Sequence, residues 1–185
     1  MIKVLVPLAE GVEELEAVTV IDLLRRAGLE VISAGLTAGP VRASRGTVLV
    51  PDTTLDQVVH QDFDLVVLPG GLPGADHLNA DSRLHGLLQR MHAQKRFIAA
   101  ICAAPKVLAD AGLLAGRRAT SFPGALDGNR LAGVYYQETA VVQDGHIITS
   151  RGPGTAMEFA LALIELVAGV VTRDRVERDL MRPAR

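Results

Sequence analysis

Short apolar runs alternate along this chain with longer stretches whose apolar residues recur at helical spacing. Residues 2–8, 30–34, 63–68 and 97–101 read as buried strands. Between the first two, Val12, Leu15, Val20, Leu23 and Leu24 give one apolar face to a helix running from Gly11 to about Ala27, with Gly28 as its stop signal. Residues 82–94 form an amphipathic helix, residues 155–167 a long apolar one, and residues 55–59 a short one. Two brief β runs around Ser44-Arg45-Gly46 predict a hairpin. Residues 118–122 read as a modest strand, and 134–150 as further β segments with Asp144-Gly145 at a turn. The tail R-D-R-V-E-R-D-L-M reads as a mixed-charge helix with a solvated face. Strands alternating with helices predict an α/β fold, a mostly parallel sheet with helices on both faces.

Two residues break this pattern. Wound at about 100° per residue, the first helix places Glu16 between Val20 and Leu23, inside the apolar stripe. Acidic residues near a helix start are usually dipole partners on a wet face, which suits Glu14. Glu16 points instead where the core should be, and a buried carboxylate needs a partner or a proton. The second is Cys102, the chain's one cysteine. In F-I-A-A-I-C-A-A-P it falls where a strand ends and Pro105 starts a helical pattern continued by Val107, Leu108, Ala111 and Leu114. A lone cysteine is most often a small buried hydrophobe. Here Ala100 and Ala104 flank it two positions away, the small-residue pattern of a nucleophile elbow. The helix that follows would point its N-terminus at the sulfur and favour thiolate.

Glycines after the strand at 63–68 form P-G-G-L-P-G-A-D-H, a loop able to cradle a phosphate or an oxyanion. Gly70, Gly71 and Gly74 lack the regular G-x-G-x-x-G spacing, and the next strand ends in Cys102 rather than an acid, which argues against a dinucleotide. His77 beyond them and Arg45 at the hairpin tip read as surface residues. S-R-G-P-G-T, with Arg151, opens the long apolar helix; the turn either binds an anion or lets the helix pack closely. In a parallel sheet ligands gather at the carboxyl ends of strands. Glu16, Gly70–Gly71 and Cys102 each lie just past such an end.

Composition narrows the classes. At 185 residues and 49% hydrophobic the chain suits one globular domain, residues 1–185. A net charge of −2 gives no basic excess for nucleic acid or an acidic membrane. One cysteine leaves no disulfide framework and no cysteine-based metal site. The N-terminus turns acidic too soon for a signal peptide, and residues 156–171 are interrupted by Glu158 and Glu165, so a cytoplasmic location is expected.

G-V-E-E-L-E-A (11–17), D-L-L-R-R-A-G (22–28), S-R-G (44–46), V-V-L-P-G-G (66–71), A-A-I-C-A-A-P (99–105) and T-S-R-G-P-G-T (149–155) together resemble the ThiJ/PfpI superfamily, most nearly its Parkinsonism-associated deglycase branch. The resemblance implies a flavodoxin-like three-layer sandwich of the class I glutamine amidotransferase type and a homodimer with the first helix at its interface. It implies a reactive Cys102, a partner Glu16, and an oxyanion hole from the amides near Gly70, Gly71 and Ala103, with Arg45, Phe122 and Arg151 as secondary candidates. The implied activity is a cofactor-free and metal-free glyoxalase or deglycase, in class terms a lyase or hydrolase, acting on a small reactive carbonyl or a glycated protein. Oxidative-stress sensing and chaperone roles are the alternative. Ala103 stands where the protease-like branch has histidine, which argues against a peptidase. Phe122 stands where several relatives have histidine, so no Cys–His pair is visible and Glu16 becomes the proton-handling candidate.

Overall fold

A computed structural model describes residues 1–182. Its first half runs Lys3–Leu8 (β1), Glu14–Arg26 (α1), Glu30–Gly35 (β2), Val41–Arg42 (β3), Val48–Leu49 (β4), Thr53–Thr54 (β5), Leu55–Val58 (α2), Leu65–Leu68 (β6), Gly74–Ala80 (α3) and Ser82–Ala93 (α4). Then come Phe97–Ile101 (β7), Pro105–Asp110 (α5), Arg118–Ala119 (β8), Gly128–Leu131 (α6), Tyr135–Tyr136 (β9), Val141–Asp144 (β10) and Ile147–Ser150 (β11). A single 3-10 turn at Pro153–Thr155 leads into Ala156–Ala168 (α7) and Val170–Asp179 (α8).

Seven strands form the central sheet in the order β10-β11-β7-β6-β1-β2-β5. All neighbours are parallel except β10, which returns antiparallel on β11. Alternation along each strand divides the core in two. Val4, Val6, Leu65, Val67, Ala99 and Ile101 face α1 and α7; Leu5, Val66, Leu68, Ile98 and Ala100 face the side of α4 and α5. The result is a flavodoxin-like α/β sandwich. From β1 the chain goes first to β2 on one side, then to β6 on the other, so the strand order reverses between β1 and β6. A crevice opens at such a point, at the carboxyl ends of the strands. Those ends carry the turn before α1, the glycine loop and the corner after β7.

Two helices end alike. Leu29 N–H bonds the Leu24 carbonyl past Gly28, and Leu113 N–H bonds the Leu108 carbonyl past Gly112. Both glycines have positive φ, +82° and +73°, the left-handed residue that closes a helix in this motif.

The structure corrects the sequence reading in five places. Leu15 is exposed, and the buried side of α1 is Glu16, Ala17, Val20, Leu23 and Leu24. Helix α5 stops at Asp110, so Leu114 lies beyond it. The strand expected over 118–122 is only Arg118–Ala119, paired with Tyr135–Tyr136 in a separate small sheet. The glycine loop is shorter than it reads, because Gly74 begins α3. The tail helix is not wholly solvated: Val176 is buried against the core that holds α1 and α7, and Arg175 Nη1 donates to the Arg26 carbonyl at 3.3 Å.

Candidate active site

Cys102 occupies the corner after β7 with φ +64°, a left-handed conformation rare outside glycine. Its neighbours hold it there. The Cys102 N–H donates to Ser150 O at 3.0 Å, its carbonyl accepts from Phe122 N–H at 2.8 Å, and Ala104 N–H closes the turn on Ile101 O at 3.0 Å. Ala100 and Ala104 are fully buried, so larger side chains would collide where the corner is tightest. The cysteine itself is 8% exposed. With only six residues, α5 is too short for the strong dipole that the sequence pattern suggests.

Glu16 is fully buried, 0% exposed, in the first turn of α1. Its Oε2 accepts the Gly70 N–H at 2.8 Å. Its Oε1 is buried and receives no donor of normal geometry; the carboxyl's other partner is the Cys102 thiol. Burial is the largest influence on Glu16 and pushes it up to about 7, against the Gly70 and Cys102 hydrogen bonds that favour the anion. Burial likewise pushes the Cys102 thiol up to about 12, with the neighbouring Glu16 acting in the same direction, while the Gly71 and Ala103 amides act in favour of thiolate. The two groups therefore titrate as one unit, which gives up its first proton near 7 and keeps the second above neutrality.

Different donors reach each of the two possible anions. A thiolate here would accept from the Gly71 N–H, the Ala103 N–H and a protonated Glu16. A Glu16 carboxylate would accept only the Gly70 N–H and a weak S–H donor. Sulfur thus has three potential donors and the carboxylate two, while burial, the largest influence on each group, opposes either anion.

Glycines make this convergence sterically feasible. A Cβ on Gly70 would stand 2.7 Å from Cys102 Cβ, 2.9 Å from Ala103 N and 2.9 Å from Glu16 Oε2. Its own N–H is committed to Glu16, so it is not a free oxyanion donor, whereas the amides of Gly71 and Ala103 face the sulfur. Gly71 (φ +87°) and Gly74 press against the 11–13 turn, and Glu13 N–H donates to Gly70 O at 3.0 Å.

The secondary candidates fall into two groups. Phe122 and Arg151 adjoin the corner, through the Phe122 N–H on Cys102 and as the residue after Ser150. Arg151 Nη2 lies 4.0 Å from Glu138, and its Nη1 is buried without a hydrogen-bond partner. Arg45 belongs elsewhere: its backbone N–H donates to Glu14, anchoring the β3–β4 hairpin to α1, and no hydrogen bond or ion pair joins it to Cys102 or Glu16. His77 is exposed and bonds the Glu10 carbonyl through Nδ1 at 2.9 Å. The sequence reading missed Lys106, whose buried stem carries Nζ to Asp76 and so clamps α5 to α3. A lysine directly after Pro105 in an apolar stretch was the available signal. Among the described residues no three His, Cys, Asp or Glu side chains gather as a metal site, and no helix is long and apolar enough to cross a membrane.

Residues 2–166 match the sequence profile of the DJ-1/PfpI family. The chain is 45% identical over 178 residues to protein dj-1beta of Drosophila melanogaster, covering 96% of this chain and 95% of that one. The crystal structure of that Drosophila protein superposes with a TM-score of 0.94 over 99% of each chain, at 43% identity. Oxidized DJ-1 of Toxoplasma gondii superposes equally well, TM-score 0.94, over the full length of both chains at 38% identity. A Caenorhabditis elegans relative, named glutathione-independent glyoxalase DJR-1.2, is 38% identical over 86% of this chain and 85% of its own.

Proposed function

The chain belongs to the DJ-1/PfpI family, and from that premise we propose that it is a cofactor-independent glyoxalase or deglycase acting on 2-oxoaldehydes such as methylglyoxal, or on their adducts. The observation that carries this reading is the buried pairing of Glu16 with Cys102 at the crevice, Glu16 held by the Gly70 N–H and the sulfur faced by the Gly71 and Ala103 amides. The glyoxalase name of the nematode relative supports it.

The chemistry is an internal redox exchange and consumes only water. The thiolate attacks the aldehyde carbon, a C–S bond forms, and the carbonyl electrons move to oxygen. The Gly71 and Ala103 amides hold that oxyanion, and Glu16 delivers its proton to give a hemithioacetal. The resulting carboxylate removes the C1 hydrogen as a proton, leaving an enediolate; the C1 hydroxyl proton passes to the C2 oxygen, and Glu16 returns its proton to C2. C1 is thereby oxidised to a thioester and C2 reduced to an alcohol. Water then cleaves the C–S bond, releasing the 2-hydroxy acid and restoring the thiol proton to the pair.

Formation of lactate from methylglyoxal under anaerobic, reductant-rich conditions tests the reading. Wild-type protein turns over there, and Cys102→Ser loses about 1,000-fold or more, since a hydroxyl is a far weaker nucleophile at neutral pH. A serine variant with wild-type turnover would overturn it. A wild-type protein with no turnover, whose cysteine gains oxygens under mild peroxide, would make this a redox sensor instead.

The same reading includes a homodimer. Leu15 and Val18 are exposed on α1, and Val48 and Val50 on the hairpin beside it. Val18, Ile21, Leu49 and Val50 line a cleft of about 250 Å³ between them. An apolar patch of this kind marks an association surface. Light scattering should give twice the chain mass for wild type and a monomer for Val18→Asp; a wild-type monomer at micromolar concentration rejects the dimer.

A further inference from the structure

The rim of the crevice carries an aromatic ring that the reaction itself does not require. The chain has four phenylalanines. Phe63 and Phe159 are buried and Phe97 is largely so, whereas Phe122 is 50% exposed. A single exposed apolar residue on a loose loop needs no explanation. Phe122 is not on a loose loop. Its N–H donates to Cys102 O at 2.8 Å, and its carbonyl accepts from Ser121 Oγ at 2.9 Å and Ala125 N–H at 3.0 Å. Tyr136 Oη donates to the Ser121 carbonyl at 3.1 Å and fixes the preceding residue as well. The backbone is pinned from four directions while the ring stays half in solvent.

The ring has a floor. A Cβ on Gly152 would stand 3.4 Å from Phe122 Cδ2, so glycine lets the ring lie close to the backbone after β11. On the other side of β7, the loop after β6 carries Leu72, exposed and next to Gly71, whose amide faces the sulfur. β7, which ends at the Cys102 corner, lies between β11, which leads to Gly152, and β6, which leads to the loop with Leu72, so the two residues sit on loops to either side of that corner.

We infer that Phe122, on its Gly152 floor and opposite Leu72, is the specificity wall for the substituent R of an R–CO–CHO substrate, and that it selects aryl or branched alkyl R over hydrogen or methyl. The inference rests on the proposed thiolate attack on 2-oxoaldehydes. With C1 on sulfur and C2 within reach of Glu16, R must leave the crevice between the two flanking side chains. An aromatic face there gains from stacking and from covering apolar area, which a phenyl group supplies and a methyl group hardly does.

The test is the ratio of kcat/KM for phenylglyoxal to that for methylglyoxal in wild type and in Phe122→Ala, Phe122→Leu and Leu72→Ala. Wild type should favour the aryl substrate about tenfold. Phe122→Ala should bring the ratio to within about twofold of unity, with Phe122→Leu and Leu72→Ala between. The change should appear mainly in KM, which loosening of the elbow would not produce selectively. Should Phe122→Ala keep the wild-type ratio, or lower both substrates equally, the inference fails and the proposed activity stands. A wild-type protein that turns over neither substrate overturns both.

Discussion

Glu14 and Glu16 leave the same turn of α1, two residues apart, and meet opposite surroundings. Glu14 faces the β3–β4 hairpin, where Ser44 Oγ and the N–H groups of Arg45 and Thr47 converge on its carboxylate at 3.1 to 3.3 Å. Partial burial works against its charge, but these donors prevail and hold it at about 2. Glu16 faces the core, has one backbone donor, and is driven to about 7. The difference lies in the number of donors each meets. A carboxylate wrapped by amides becomes a fixed anion that fastens a hairpin; one left short of donors keeps a proton that can be moved.

The comparison breaks most visibly at Glu16. Glu16→Leu and Glu16→Gln should each lose roughly 100- to 10,000-fold in turnover, because neither side chain can relay a proton. They should differ in the thiolate. Glu16→Leu removes a donor to sulfur and should raise the pH at which thiolate absorbs in the ultraviolet by about one to two units, with Glu16→Gln raising it less. A fall in that pH for the leucine variant would make Glu16 a repelling anion and reverse the placement of the shared proton.

Stability against pH offers the next largest effect. The folded protein holds the Glu16 proton to about 7, whereas an unfolded glutamate releases it near 4.5. The folded state binds the extra proton in that window, so this residue's contribution falls as pH rises through it, by up to about 3 kcal/mol. Denaturant unfolding of wild type and Glu16→Gln at pH 5 and pH 8 should give a difference that shifts in the variant's favour at the higher pH. An unchanged difference would mean that Glu16 is already ionised at pH 5. Asp52, Asp81, Asp110 and His146 also titrate differently in the fold, but they are common to both proteins and cancel.

Glu14 should give the smallest effect, in the opposite direction of pH. Its contribution is present above 4.5 and is lost as pH falls toward 2. Glu14→Ala should cost about 1 kcal/mol at neutral pH, since the hydrogen bonds lost lie partly in solvent, and should speed amide exchange at Arg45 and Thr47. Unaltered exchange there would show that the hairpin is held by other contacts, such as Gly11 N–H on Arg42 O.

What could be read from the sequence tracks the periodicities. Strands buried on both faces and helices with one apolar stripe leave clear marks, so the alternating architecture and the inward position of Glu16 were legible. Leu15 was misplaced because a helix with apolar residues on two faces offers no internal clue to which faces the sheet. The glycine loop hid α3 because Gly and Pro usually signal turns; Gly74 is there for space, since a Cβ would stand 2.6 Å from Val12 N. The split of donors between Glu14 and Glu16 and the commitment of the Gly70 amide depend on segments far apart in the chain, and no local pattern encodes them; for the Lys106–Asp76 clamp the local sequence marks the lysine but not its partner.

The backbone contact between the turn before α1 and the loop after β6 has a consequence for reading variation in this protein. A Cβ on Gly11 would stand 2.4 Å from Pro73 Cδ, and one on Gly71 2.4 Å from Glu13 N. In a saturation library scored only for abundance, Gly11, Gly70, Gly71 and Gly74 should be nearly empty of substitutions even when every clone is catalytically dead. Depletion at those four positions therefore carries no information about chemistry. Residues that become intolerant only when the library is scored for turnover are the ones that report it, and selection on different substrates should redraw the tolerance map at Phe122 while leaving the glycines as they were.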